Sequence, residues 1–389
     1  MSQNSTNKES KGREKKPQDA VSLVDGFLNG AVEVGASDIH FEPTENGLVV
    51  KYRLDGVLKN IETLPKFLSD NIVARLKVLG NLLTYRNDVP QEGRIEISAN
   101  KNVLDERLAV FPTIHGQRAV VRIFYQNKNL TELENLGFSK EILDSLKKIA
   151  FKNQGILLLT GPAGSGKSTT LAALLRYILE KFPGKSIVSL EDPVEIRVDG
   201  VTQVQITPYG EMTFPTALRS LLRQDPQVLM IGEIRDAETA KIAIEAALTG
   251  HFLMSTMHSG TPAGGFLRLL EMGIEPYQIT SSVTAILNQR LVRRLCDKCK
   301  KQNPKNSFYE SAGCESCLNT GYRGRALISE IVELDSELRK AIAEKTDLEK
   351  LQAMLKGKGH TNMLTDGKRL VEKGVTSSDE LNRVCGIIE

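Results

Sequence analysis

Gly161, Pro162, Ala163, Gly164, Ser165, Gly166, Lys167, Ser168 and Thr169 form a run that fits the pattern GxxxxGK[ST]. Glycines at that spacing let successive backbone N–H groups converge on phosphate oxygens, and a helix starting at the lysine directs its positive end to the same point. In such a loop Lys167 pairs with the terminal phosphates and Ser168 offers its hydroxyl to Mg²⁺. The apolar run ILLLT before the motif and TLAALLRYILEK after it supply the strand and helix that the loop requires. A glycine-rich turn that binds nothing is the competing reading, and it leaves those flanks unexplained.

Hydrolysis needs more than binding, because one group must hold the metal and another must orient water. QVLMI is followed by Gly232 and Glu233, where many nucleotidases carry an Asp-Glu pair, and IVSLEDP brings Glu191 and Asp192 to the end of another apolar run. Ligands of parallel sheets sit beyond the carboxyl ends of the strands, so Glu191, Glu233 and the phosphate loop are expected to meet there. Either acid alone reads better as simply solvated; the phosphate loop upstream tips the pair to catalysis. Glu191 is assigned to orienting water, and Glu233 with Ser168 to the Mg²⁺ shell. HFLMST leads to His258 at the same edge, where an imidazole can hydrogen-bond the terminal phosphate. His40, His115, His251 and His360 are read as structural.

A second chemistry is written in the cysteines. Cys296 and Cys299 form one CxxC pair and Cys314 and Cys317 another, with 14 residues between the pairs. Four thiolates suit tetrahedral Zn²⁺ and leave no open coordination position, so the expected zinc is structural. Unliganded reduced thiols are the alternative. Cys385 stands apart and reads as a small apolar residue.

These groups need a scaffold. At 389 residues, with 40% hydrophobic and 25% charged content, the chain has length and apolar material for two or three domains. Residues 1–17 are polar and aperiodic and are expected to be a disordered tail. From Ala20 to about Gly35 the apolar spacing is helical; LVVKYRL and VLKNIE flank Asp55-Gly56 as a hairpin; a helix is expected over roughly 65–83, then strands RIEIS, VLDERLAVF and RAVVRIF. That makes one α/β domain over 18–127. After a linker at 128–138, the runs ILLLT, IVSLE, QVLMI and FLMST alternate with helical stretches over 139–389, which implies a mainly parallel sheet covered on both faces. The cysteine insertion falls at about 296–317 and is followed by a helical C-terminal region.

No apolar run approaches the ~18 residues needed to cross a bilayer, and the first residues lack a signal peptide's apolar segment, so the chain is expected in the cytoplasm. A net charge of +3 is no concentrated basic field, and zero Trp with 5% aromatics gives no stacking platform. Nucleic acid is not an expected partner.

Taken together, ASDIHFEP, RLDGVL, VPQEGRI, GPAGSGKSTT, SLEDPVE, LRSLLRQDPQVLMIGEIRD, EAALTGHFLMSTMHSG, QRLVRRLC and GYRGR resemble the signatures of the type II secretion and type IV pilus assembly ATPases, from about Ala36 to Gly386. The resemblance implies a RecA-like P-loop NTPase domain preceded by a smaller, PAS-like α/β domain. It also implies a homohexamer that hydrolyses ATP and works on a platform protein at the inner membrane, to which the motor is peripherally attached. Gly-Glu in place of Asp-Glu at 232–233 is that family's own pattern, and STMHSG departs from its commoner histidine box only at flanking positions. Larger members carry a further N-terminal tethering domain, where this sequence offers only its polar tail. The four cysteines resemble assembly and secretion members more than retraction motors.

The first domain's strands carry Arg94, Arg107 and Arg122, in segments that resemble the family's nucleotide-facing ones. A guanidinium forks onto phosphate oxygens, and the resemblance implies that these serve the nucleotide of their own chain. Solvation, or pairing with acids such as Glu106, is the alternative. A retraction or DNA-uptake motor, a nucleic-acid translocase and an adaptor that binds nucleotide without turnover remain the competing functions.

Overall fold

The computed structural model describes residues 19–95, 103–125, 130–207, 210–304, 307–344, 347–357 and 362–386. The expected polar tail at 1–17, His360 and the end of the expected RIEIS strand lie outside them. The chain divides into two compact units, 1–126 and 127–389.

In the first unit, α1 (Ala20–Val34), β1 (Asp38–Thr44), β2 (Gly47–Leu54), β3 (Val57–Pro65), α2 (Ser69–Leu79), β4 (Gln91–Ile95), β5 (Val103–Thr113) and β6 (Gly116–Tyr125) follow one another. The sheet is antiparallel in the order β3-β2-β1-β6-β5-β4. Asp55 and Gly56 both take positive φ in the β2–β3 hairpin, which is the geometry a two-residue turn demands. One face of the sheet buries Ile39, Phe41, Val50, Leu108 and Val121 against Val24 and Phe27 of α1 and Ile72 and Leu76 of α2. Each such side chain contributes about 1.5–3 kcal/mol on leaving water.

One expectation changes here, and one strand is added to those expected. The helix expected over 65–83 is a single 3-10 turn at Lys66–Leu68 followed by α2, and it ends at Leu79. Gly80 closes it and Asn81 adopts φ 56°, so the chain turns away while the Gly80 carbonyl packs against Gly93 of β4. The segment DIHFEPT is also a central strand, β1, although its Asp-x-His-x-Glu alternation lacks the apolar run that marks the other strands.

The second unit contains α3 (Lys140–Ala150), β7 (Gly155–Thr160), α4 (Lys167–Lys181), β8 (Ile187–Glu191), β9 (Thr202–Gln205), α5 (Phe214–Leu221), β10 (Val228–Ile231), α6 (Ala237–Leu248), β11 (Phe252–Met257), α7 (Pro262–Glu271), α8 (Pro276–Ser282) and β12 (Val283–Leu295). Then come β13 (Lys301–Gln302), β14 (Tyr309–Glu310), β15 (Tyr322–Glu333), α9 (Ser336–Ala343), α10 (Leu348–Gly357), α11 (Met363–Glu372) and α12 (Ser378–Cys385). The main sheet runs β15-β12-β7-β11-β10-β8-β9, parallel except for β15.

Every residue of β7, β8, β10 and β11 is buried, because helices cover both faces. Alternate residues serve opposite cores. Leu158, Leu190 and Leu229 meet Leu218, Ala243 and Phe266 of α5, α6 and α7, while Leu157, Leu159 and Met230 meet Leu146 of α3 and Leu174 of α4. The long strand β12 continues past the sheet into a third cluster, where Val292 and Ile328 pack on Leu370 and Leu381. Strands β9, β12 and β15 add to the four apolar runs expected from the sequence.

Candidate functional site

β7 delivers the chain to Gly161, which takes φ 138° and has no room for a side chain, since a Cβ there would collide with the carbonyl oxygen of Gln289 on β12. The loop 161–166 then wraps into α4, with Gly166 as its N-cap at φ 92° and Lys167 as its first residue. Ser165 is buried, whereas Pro162, Ala163, Gly164 and Ser168 are exposed, and Lys167 and Thr169 are half-buried. Lys167 Nζ donates to the carbonyl oxygens of Gly161 and Pro162 at 2.9 Å each. Burial lowers its pKa, offset in part by Glu233 and Glu195.

The parallel sheet brings the sequence-assigned residues to one edge. Glu191 ends β8, Glu233 follows β10 and His258 follows β11, and all three line one cleft of about 220 Å³ with Lys167 and Ser168. Glu191 is only 8% exposed. Its Oε1 accepts from Ser189 Oγ at 2.6 Å and from Gln203 Nε2 at 3.0 Å. Burial pushes the Glu191 carboxyl above its usual range; those two donors pull the other way, and Glu195 adds repulsion. Glu233 is ion-paired with Arg235 and lies 3.4 Å from His258 Nε2. That pairing raises the Arg235 pKa.

Ser189, Gln203 and Arg235 were not singled out from the sequence. Two of them had a local signal: Ser189 is two residues from Glu191, hence on the same face of β8, and Arg235 is two residues beyond Glu233. Gln203 sits on β9 opposite Ser189, a neighbour that only strand pairing reveals.

In the first unit, Arg94, Arg107 and Arg122 form one cross-strand row over β4, β5 and β6, continued by Asp38 on β1 and Arg53 on β2. Arg94 and Arg107 reach Asp105 at 2.6 and 3.2 Å, and Arg122 reaches Asp38 at 2.9 Å. Their acidic partners are thus Asp105 and Asp38. Glu106, suggested as a partner, points to the other face because side chains alternate along a strand. Among the histidines read as structural, His40 lies within 3.0 Å of Arg118 and 3.4 Å of Arg53, and His251 Nδ1 lies 3.0 Å from the Ala246 carbonyl.

The four sulfurs of Cys296, Cys299, Cys314 and Cys317 all lie within 4.8 Å of one another, with three pairs at 3.8–3.9 Å. Thiolates about 2.3 Å from a tetrahedral ion stand about 3.8 Å apart, so the donor set and its spacing fit Zn²⁺. Cys317 Sγ accepts from the backbone N–H groups of Cys314 and Gly321 at 3.2 Å each. Burial works against its ionisation, but those donors, together with the thiols of Cys314 and Cys299, hold its pKa below the usual thiol range.

A strand, a phosphate loop and a helix in a RecA-like parallel sheet, with two carboxylates at the same edge, define the fold of the P-loop NTPases. The chain belongs to the family described as Type II/IV secretion system protein, whose pattern matches residues 13–383. It is 39% identical over 379 residues to the type IV pilus assembly ATPase PilB of Thermus thermophilus, covering 93% of this chain and 42% of that protein. To the type II secretion system ATPase E of Vibrio cholerae it is 38% identical over 379 residues, covering 94% of this chain and 75% of the relative. The crystal structure of the Legionella pneumophila ATPase DotB shares the fold, with a TM-score of 0.69 at 20% identity over 96% of this chain and 98% of that one. No helix among the described residues is long and apolar enough to cross a membrane.

Proposed function

We propose that this chain hydrolyses ATP to power the assembly of a pilus or pseudopilus, or type II protein secretion. The observation that carries this reading is the meeting of Lys167, Ser168, Glu191, Glu233 and His258 in one cleft beside the phosphate loop. Lys167 leaves its loop carbonyls to pair with the terminal phosphates, where it offsets the charge that develops on the transferred group. Glu191, desolvated and held by two donors, orients the attacking water. His258 hydrogen-bonds the terminal phosphate. Arg94, Arg107 and Arg122 add charge to the phosphates of their own chain's nucleotide.

The hydroxyl of Ser168 and the carboxylate of Glu233 are hard oxygen donors of the kind that suit Mg²⁺, which supplies charge neutralisation on the phosphates when bound. The four cysteines hold one structural Zn²⁺. The active form is a homohexamer, cytoplasmic and attached to an inner-membrane platform protein.

Turnover by Lys167→Ala tests the reading: ATP hydrolysis is expected to fall at least about 100-fold. Hydrolysis at the parent rate would overturn it. Glu191→Gln should bind a fluorescent ATP analogue normally and lose turnover; if instead Glu233→Gln behaves so and Glu191→Gln turns over normally, the two roles are exchanged. Metal analysis is expected to give one zinc per chain, whose removal unfolds the lobe around 296–317, since such sites supply on the order of 10 kcal/mol of folding free energy. A zinc-free protein with every thiol titratable would refute the metal assignment.

A further inference from the structure

We infer that Gln203, together with Ser189, is a positioning residue for hydrolysis, holding the Glu191 carboxylate in one orientation beside the phosphate loop. This rests on the reading of Glu191 as the group that orients water.

The argument begins with the pairing of β8 and β9. Ser189 lies opposite Gln203 and Glu191 opposite Gln205, so Ser189 and Gln203 are cross-strand neighbours, and Ser189 and Glu191 share a face of β8. Both donors converge on the same carboxylate oxygen, Oε1. Among the described residues no hydrogen bond is made to Oε2.

The Gln203 amide is itself locked. Its oxygen accepts from the backbone N–H of Val198 at 2.8 Å, and its nitrogen also donates to the Ile196 carbonyl at 3.0 Å. A flipped amide would set its oxygen against the Glu191 carboxylate and the Ile196 carbonyl together, and its nitrogen against an N–H. Only one orientation satisfies all three partners. The side chain therefore ties the 196–198 segment, β9 and the catalytic carboxylate into one unit.

The electrostatic setting makes these donors matter. Besides Glu191, the titratable or charged groups on the elements around this cleft are Asp192 and Glu195 from its own strand's exit, Lys167 from α4, Glu233 with its partner Arg235 from the exit of β10, and His258 from the exit of β11. Neither hydrogen bond to Glu191 comes from a cation. Two neutral donors thus oppose its desolvation and the repulsion of Glu195. Removing either raises the pKa of the group, so a water-orienting carboxylate would be protonated over a wider range of acid pH.

The test is the pH dependence of ATP turnover for the full-length chain and its Gln203→Leu, Ser189→Ala and Glu191→Gln variants, with binding of a fluorescent ATP analogue measured alongside. For Gln203→Leu and Ser189→Ala the acid limb of kcat should move to higher pH by about one unit, a roughly tenfold loss on the acid side, while analogue binding changes less than about twofold. Ser189→Ala removes one oxygen and keeps the inference testable should Gln203→Leu fail to fold. A purely structural role for the pair would lower kcat equally at every pH. An unmoved acid limb, with Glu191→Gln inactive, overturns this inference and leaves the assignment of Glu191 standing. A fully active Glu191→Gln overturns both.

Discussion

Glu106 in the first unit and Glu380 in the second are each 1% exposed, yet their carboxyls are shifted in opposite directions from the ordinary value. Glu106 faces the core side of β5, its Oε2 has no hydrogen-bond partner among the described residues, and burial with repulsion from Asp105 pushes its pKa to about 7. Glu380 on α12 is buried as deeply. It accepts from Arg383 through two nitrogens at 2.7 Å and from the side chain and backbone N–H of Arg293 at 2.7 and 3.0 Å. Those donors overcome its desolvation and hold the group at about 2. Burial therefore does not decide whether an acid is charged; its donors do.

The contrast has opposite consequences for stability. Taking about 4.5 as the unfolded value, Glu106 contributes stability below pH 4.5 that is lost as pH rises through 7. Glu380 contributes stability above pH 4.5 that is lost as pH falls toward 2.

The largest effect expected from breaking this contrast is at Glu380. Glu380→Gln leaves the Arg293 guanidinium, which is stacked 4.0 Å from the Tyr322 ring, without its buried counter-charge. A loss of about 3–5 kcal/mol in urea unfolding of the second unit at pH 7 is expected; an unchanged midpoint would show that the clamp contributes nothing net. Glu106→Gln should act in the other direction, stabilising the first unit by up to about 3 kcal/mol at pH 8 and by almost nothing at pH 4. Thermal unfolding at the two pH values checks it, and equal shifts at both would mean that Glu106 is charged at neither or at both. The smallest expected effect is at Arg94, which is paired with Asp105 but 68% exposed. Arg94→Ala should cost less than about 1 kcal/mol of stability, so a large loss of ATP turnover alongside would assign the arginine to chemistry, and an equally small loss would leave it a surface ion pair.

The phosphate loop and the cysteine pairs were legible because each is contiguous, with backbone geometry and metal spacing written in adjacent residues. β7, β8, β10 and β11 were legible because burial on both faces makes a strand apolar throughout. The same logic hid β1: with Asp38, His40 and Glu42 on one face and Ile39 and Phe41 on the other, half of it reads as polar. Gln203 was hidden for another reason, since its partner Glu191 is twelve positions away and the pairing of β8 with β9 carries no pattern in either segment. Asp105 as the partner of Arg107 was within reach of alternation alone, which sends it to the face of Arg107 and Glu106 to the face of Leu108, whereas Asp38, the partner of Arg122, stands 84 positions away and only strand pairing reveals it. The ends of α2 were misjudged because Ile72, Val73 and Leu76 set the helical period while Gly80, just beyond, ends it.

The collision that awaits any side chain at Gly161 has a genetic corollary. Its nearest obstacle, ahead of the Ser165 hydroxyl, is the main-chain carbonyl of Gln289, which every amino acid at position 289 would present at the same place. A Gly161→Ala lesion should therefore find no intragenic suppressor by exchange of residue 289. Revertants selected from it should be true back-mutations, or changes elsewhere that shift the β12 backbone, whereas lesions opposed by the tip of a neighbouring side chain can be rescued by shortening that neighbour.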